Sequence, residues 1–481
     1  MERRDVLKAL AFGTAAMGLG SRGLLAEETS PKPNILFLFA DDQTYECIRA
    51  LGCDEIQTPN LDRLVRNGVT FTHAYNQGSW SGAVCIASRC MLVTGRFLWH
   101  ARRVHQTCEK ERVAGRFWSE YMKKAGYETY MTGKWHVRAN PRKAFDVVKD
   151  VRGGMPKQTK EGYNRPIEGK PDPWSPWDRK FGGYWEGGKH WSEVVGDNAV
   201  GFLDKARKSD RPFFLYIAFN APHDPRQSPK STVQRYPLEK VKVPANFLPE
   251  YPYKDKIGCG RGLRDERLAP FPRTRYAVKV NRQEYYAIIT HMDAQVGRIL
   301  DALEKSGKAD NTYVFFTADH GLAVGHHGLL GKQNLFDHSV RVPLMVAGPG
   351  IPKGRKIRTP VYLQDIMPST LELAGIERPG HVQFRSLMPV LHGRRKRSYD
   401  AIYGAYLNVQ RMVTQGDYKL LLYPALKKVL LFDLKNDPDE MKDLAGSPEH
   451  KPTVKRLFAK LLELQKETGD PLDLRAVYPS W

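Results

Sequence analysis

The chain lacks any apolar run of the roughly 20 residues that a bilayer-spanning helix needs. Its longest candidate, Ala9 to Gly20, is too short, so the sequence predicts no membrane span. Cysteine is scarce as well: six in 481 residues are too few for a disulfide scaffold. Cys47 with Cys53, or Cys90 with Cys108, are candidate pairs in an oxidising compartment, and spacing does not choose between pairing and free thiols. Negative charge is in deficit, with 53 acidic against 75 basic residues and a net charge of +22, so the surface should attract polyanions. Neither zinc-finger spacing nor a basic helix with interleaved stacking aromatics accompanies that charge, which argues against nucleic acid and for a sulfated or phosphorylated partner. No internal repeat is visible.

What remains is a globular composition, 41% hydrophobic and 11% aromatic, long enough for one large domain with a smaller one. The N-terminus carries Arg3-Arg4, the apolar segment Ala9 to Gly20 and a small residue at Ala26. That order reads as a Tat-type signal peptide over residues 1–26, and it predicts a periplasmic or secreted protein.

Asn34 to Ala40 is a continuous apolar run of strand length, suited to burial on both faces, and it ends in Asp41-Asp42. Adjacent carboxylates at the end of a buried strand are costly unless solvated, capping a helix or bound to a cation. Thr58-Pro59 opens a helix that Gly68 closes, and Val69 to Ala74 reads as a strand. Cys85-Ile-Ala-Ser-Arg89 then leads an apolar helical run to Gly95-Arg96, which puts Cys85 at a helix entrance and Arg89 one turn on, a position suited to an anion. After a helix over Phe117 to Ala125, the strand Glu128 to Thr132 delivers Gly133-Lys134-Trp135-His136, and a period of two places Lys134 and His136 on one face.

Residues 151–191 are rich in Gly, Pro and Trp, and Trp174, Trp177, Trp185 and Trp191 offer faces for stacking on sugar rings or for packing the loop down. Pro212 to Phe219 is another buried strand, followed by His223 between Pro222 and Pro225. An amphipathic helix spans Gln283 to Leu303, and the strand Thr312 to Thr317 runs into Asp319-His320-Gly321, with His326-His327 and Gly331-Lys332 beyond. Arg341 to Ala347 is a further strand and Asp365 to Ala374 a helix. Past Glu377 the composition shifts to Gly and Arg, three strand-like segments follow near 400–406, 418–423 and 429–434, and a last helix covers 452–468.

Cys85, Ser88, Arg89, Leu92, Thr94 and Gly95 fall on the pattern Cys-x-(Pro/Ala)-Ser-Arg-x-x-Leu-x-Thr-Gly, with Ala87 where proline is commoner. With the Asp41-Asp42 pair, the Gly-Lys-Trp-His element, Asp319-His320-Gly321 and Gly331-Lys332 in order, the chain resembles the type I, formylglycine-dependent sulfatases of the alkaline phosphatase-like superfamily. Histidine at 320 brings it nearest to iduronate-sulfatase-like bacterial glycan sulfatases. The resemblance implies an α/β fold with a large, mixed, mostly parallel sheet sandwiched by helices. A small C-terminal antiparallel sheet with a helix would follow, giving a catalytic domain over 32–378 and a subdomain over 379–481.

It also implies that Cys85 is oxidised to formylglycine (3-oxoalanine) by a dedicated maturase, with Ala87 resembling substrates of the radical type. Calcium would be held by Asp41, Asp42, Asp319, His320 and the modified Cys85. Lys134, Lys332 and Arg89 would clamp sulfate and the diol, His223 would protonate the leaving alcohol, and His136 would act as base; the two histidines are open to exchange of roles. The implied reaction is hydrolysis of a sulfuric ester, with a sulfated polysaccharide or oligosaccharide as substrate. A phosphonate monoester or phosphodiester hydrolase, and a non-catalytic polyanion-binding glycan protein, are the rival readings.

Overall fold

The computed structural model describes residues 31–479, so the expected signal peptide lies outside the described residues. Every residue of the strand Asn34–Ala40 is buried, as its unbroken apolar run requires. It pairs in parallel with Phe213–Ala218 on one side and Thr312–Ala318 on the other. Glu128–Lys134 and Val147–Arg152 extend the parallel array beyond Phe213–Ala218. Beyond Thr312–Ala318 comes Leu344–Ala347, the one antiparallel member, then Val69–Phe71 and Arg355–Ile357, for eight strands in all. The expected mixed, mostly parallel sheet is therefore present.

Both faces are covered by helices. Phe214 and Tyr216 point to one face and meet Trp118 of the helix Trp118–Lys124. Tyr130 lies in register with Leu215, on the opposite face, and packs on Phe202 of the helix Trp191–Ala206. Among the described residues no helix is long and apolar enough to cross a membrane.

Two expected strands divide. Val69 to Ala74 splits into Val69–Phe71 in the main sheet and Ala74–Tyr75 in a three-stranded sheet, where Arg341–Val342 pairs with it. Arg341 to Ala347 breaks at Pro343, which has no N–H to give to a ladder, and its second half Leu344–Ala347 returns to the main sheet. The helix expected from Gln283 begins two turns earlier, at Arg275, where the Thr274 side chain accepts the Ala277 amide at 3.1 Å.

The C-terminal sheet has five strands, in the order Lys428–Asp433, Tyr418–Tyr423, Gln410–Gln415, Ile402–Tyr406 and Gly78–Ser79. The first four are antiparallel, and the fifth comes from just ahead of Cys85 and pairs in parallel. Gln410–Gln415 escaped sequence reading because its polar residues are buried by partners rather than by apolar character: Arg411 makes a bidentate pair with Asp470 at 2.6 and 2.8 Å. Residues from Pro33 onward form one compact unit.

Gly78 has φ +85°, and a Cβ there would stand 2.0 Å from the Ala405 carbonyl oxygen. Gly78→Ala is expected to cost about 3 kcal/mol or more in thermal unfolding. Gly153→Ala, where a Cβ meets nothing within 4 Å, should stay within about 0.5 kcal/mol of wild type. Equal Tm values for the two would contradict this account.

Candidate active site

Four neighbouring parallel strands release their carboxyl ends on one edge of the sheet. Asn34–Ala40 gives Asp41 and Asp42, Glu128–Lys134 gives Lys134 and His136, Phe213–Ala218 leads to His223, and Thr312–Ala318 gives Asp319 and His320. The edge of such a sheet beyond its strand termini is where α/β folds collect ligands. Asp42 turns into the site through a left-handed backbone at φ +69°.

The helix Val84–Thr94 brings in Cys85 in its first turn and Arg89 one turn later. Thr94 Oγ1 donates to the Cys90 carbonyl at 2.6 Å, and Gly95 ends the helix at φ +67°. A Cβ on Gly95 would press on Met367 and Val382 at 2.9 Å, so this Thr-Gly pair is there for packing and helix termination.

The site is a buried lattice of charge. Lys134 Nζ donates to Asp41 Oδ2. Lys332 Nζ reaches Asp42 Oδ2 at 2.8 Å and Oδ1 at 3.0 Å. Arg89 Nε donates to Asp319 Oδ2 at 2.9 Å and its Nη1 to the Lys134 carbonyl at 2.8 Å. Burial alone would push the Asp41 carboxyl up, but the charges of Lys134, His223 and Arg89 hold it well below the usual range. Asp319 differs: burial, reinforced by the Asp41 charge, pushes it up to about 6. For His320, burial is outweighed by Asp319 and Asp42, which raise it to about 9. Cys85 Sγ lies 3.2 Å from His136 Nδ1. Burial of this thiol is overcome by the Lys134 charge and by hydrogen bonds from His136 and His320, which hold it well below the ordinary thiol range.

His223 Nδ1 is fixed by the Asp224 carbonyl at 2.8 Å and its carboxylate at 3.1 Å, while Nε2 faces Lys332 Nζ at 2.9 Å. Burial would lower His223, and the Asp42 charge does most to reverse that, leaving it raised.

Two groups of buried ligand atoms, each within 4.8 Å of one another, meet here: Asp41, Cys85, Asp319 and His320, and Asp41, Asp42 and His223. Asp41 Oδ1 is buried with no hydrogen-bond partner, an arrangement that is costly until a cation takes it. His320 Nε2 stands 3.0 Å from Asp42 Oδ1 and 3.5 Å from Asp319 Oδ1. The donor set thus fits a metal ion, and its preponderance of carboxylate oxygen fits a hard one.

All of Asp41, Asp42, Cys85, Arg89, Lys134, His136, His223, Asp319, His320 and Lys332 converge, but not for every reason expected. Lys134 ends its strand, and His136 itself takes a left-handed backbone at φ +54°, so alternation along a strand does not align them. The tryptophans divide as well. Trp174 packs on Phe181, the Trp185 indole donates to the Pro176 carbonyl at 3.0 Å, and the Trp191 indole to Asn220 Oδ1 at 2.8 Å; all three are buried and hold the loop down. Trp177 is 38% exposed, with the Lys230 ammonium over its ring at 5.7 Å. His326 and His327 shape their loop, His326 bonded to Glu46 and Asn246 at 2.8 Å and His327 stacked on Phe336.

Sequence reading missed Asp224, Arg264 and Asp265. Arg264 pairs with both aspartates, and Asp265 Oδ2 lies 3.7 Å from Lys332 Nζ. Asp224 was findable beside His223, whereas Arg264 and Asp265 sit in a Pro-rich segment with no pattern around them.

A doubly covered α/β sheet whose strand ends gather a metal-ligand cluster, three buried cations and an acidified thiol at a helix entrance fits a hydrolase of anionic esters. The family model described as Sulfatase matches residues 33–376, and the chain belongs to that family. It is a sulfuric ester hydrolase. A second model, N-sulphoglucosamine sulphohydrolase, C-terminal, matches residues 325–467. The chain is 26% identical to an N-acetylglucosamine-6-O-sulfatase of Bacteroides thetaiotaomicron, over 96% of this chain and 91% of that protein. Its fold is similar to that of a protein solved with its substrate D-glucosamine-2-N,6-O-disulfate, with a TM-score of 0.72, 24% identity, and coverage of 92% of this chain and 99% of the other. A phosphonate monoester hydrolase from Silicibacter pomeroyi shares the fold equally well, at a TM-score of 0.72 and 19% identity, covering 91% and 96% of the two chains.

Lys134 is fully buried against Asp41. Lys134→Met should therefore cost about 3–5 kcal/mol in the metal-free protein, because it strands a carboxylate. Denaturant unfolding with chelator present measures it, and a loss under about 1 kcal/mol would contradict the charge lattice described here.

Proposed function

We propose that this enzyme, exported by a Tat-type signal to the periplasm or the medium, removes sulfate from a sulfated glycan through a formylglycine made from Cys85, with calcium in the carboxylate cluster. The observation that carries the reading is the placement of Cys85, at a helix entrance, 3.2 Å from His136 Nδ1 and within the same 4.8 Å cluster as Asp41, Asp319 and His320. Asp41, Asp42, Asp319, His320 and the modified Cys85 would hold the ion, which would neutralise charge on the sulfate and on the attacking oxygen. Hydrated formylglycine would offer two hydroxyls on one carbon, one to attack sulfur and one to expel sulfate as the aldehyde returns.

The side chains divide the proton work. Asp319, pushed up to about 6 by burial and Asp41, is poised to accept a proton from the attacking hydroxyl. Lys134 and Lys332 bring fixed positive charge to the sulfate oxygens, and Arg89 holds Asp319 in line. His223, with Nδ1 occupied by Asp224, presents Nε2 as the acid for the leaving alcohol, and His136 beside Cys85 is the base that returns the aldehyde. The glycan reading draws on the net charge of +22, the partly exposed Trp177 and the glucosamine-sulfate names of the relatives. A formylglycine-generating maturase, of the radical type on the strength of Ala87, is the implied partner.

Cys85→Ala should lower sulfate release by about 10⁴-fold or more. Mass spectrometry of the Cys85 peptide, made in hosts with either maturase, should show the aldehyde when the radical enzyme is present. Chelated protein should regain activity with Ca²⁺. Faster turnover of phosphonate monoesters than of sulfated saccharides would overturn the substrate assignment.

Asp224→Asn removes a negative charge that favours protonated His223. The folded-state pKa of His223 then falls, and the protonated acid is lost at a lower pH. The alkaline limb of the kcat profile is expected to move to lower pH, most strongly for substrates with poor leaving groups, while an unmoved limb would exclude His223 as the acid.

A further inference from the structure

A second cluster of ligand-type side chains lies outside the reaction chemistry. Cys90 belongs to the second half of the helix Val84–Thr94, His105 ends the helix Leu98–His105, and Cys108 opens the helix Cys108–Val113. Their ligand atoms all lie within 4.8 Å of one another, and all three residues are buried. Cys90 Sγ and Cys108 Sγ are 3.6 Å apart. His105 is 7% exposed, and its buried Nδ1 has no oxygen or nitrogen partner.

From this geometry we propose that Cys90, His105 and Cys108 form a structural zinc site that fastens the helix carrying Cys85 to the two helices after it. Three arguments support it. In a tetrahedral site with Zn–S bonds of about 2.3 Å, two sulfurs stand roughly 3.8 Å apart, close to the spacing seen, whereas a disulfide needs about 2.0 Å. A disulfide would also have no use for the imidazole, and would leave a buried ring nitrogen unsatisfied between three helices. Finally, binding releases one proton from each thiol to solvent, and two thiolates with Zn²⁺ form a group of zero net charge, which a buried site tolerates. Two sulfurs and a nitrogen select a softer ion than the carboxylate cluster does, so the two sites sort different metals. Three protein ligands leave the tetrahedron one donor short of the four a zinc ion takes.

The consequence is mechanical. Cys90 is five residues, about 7.5 Å of helix rise, beyond Cys85. The zinc site would thus fix the far half of the same helix whose first turn presents the nucleophile. The proposal is independent of what the Cys85 site hydrolyses.

The test uses the full-length enzyme, freed of metal by chelator, saturated with Ca²⁺ and titrated with Zn²⁺ and Co²⁺. One equivalent of Zn²⁺ should be retained per chain by elemental analysis, and Co²⁺ should give an intense thiolate-to-metal charge-transfer band. A Cys85→Ala background should keep both signals, which separates this site from the catalytic cluster. Cys108→Ser and His105→Ala should each weaken Zn²⁺ binding by about 100-fold or more, with Cys90→Ser as a second thiol variant if either fails to fold by circular dichroism. The proposal is overturned if no Zn²⁺ is retained, if the cobalt band persists in both thiol variants, or if the native mass is two hydrogens light and Cys90 and Cys108 are found joined.

Discussion

Everything at the catalytic edge depends on keeping Asp41, Asp42 and Asp319 charged or chargeable inside a sheet that excludes water. An isolated carboxylate there would be protonated or would unfold the strand end. Lys134, Lys332 and Arg89 prevent that, each from a different part of the chain. The compensation leaves the acids uneven. Asp41 is held anionic while Asp319 is pushed up to about 6, so neighbouring groups that look alike in sequence differ in their hold on a proton. The stability of the edge thus rests on the same three cations that set the charge where the strand ends meet.

Arg89 shows how tightly the parts are joined. Its guanidinium bonds Asp319 and the Lys134 carbonyl and lies over the Phe39 ring at 4.5 Å, joining three strand ends to the helix that carries Cys85. Lysine has neither the planar fork nor the stacking face needed for this. The left-handed turns at Asp42 and His136 are the backbone counterpart: strain is accepted at two strand ends to aim side chains at one point.

The core of this arrangement was legible because its signals are local. Buried strands announce themselves as apolar runs, and the residues that end them are charged or imidazole-bearing, so Asp41, Asp42, Lys134, His223, Asp319 and His320 could be placed on one edge before any geometry was seen. The substrate side was less legible. Trp174, Trp185 and Trp191 look like sugar platforms in sequence, yet each spends its ring on loop packing. The Arg264 network escaped because an arginine between two aspartates far apart in the chain leaves no trace in any window. Gln410–Gln415 was hidden for the same reason: partners such as Asp470, not hydropathy, account for its burial.

The strand Gly78–Ser79 closes the C-terminal sheet only by pairing with Ile402–Tyr406. On the ribosome that partner emerges roughly 320 residues later, a delay of about 15–65 s at ordinary elongation rates. During that interval the segment leading to Cys85 has no ladder to join. Translation itself therefore delays completion of this sheet, and the stretch just ahead of Cys85 gains its ladder partner only once the C-terminal segment has been made.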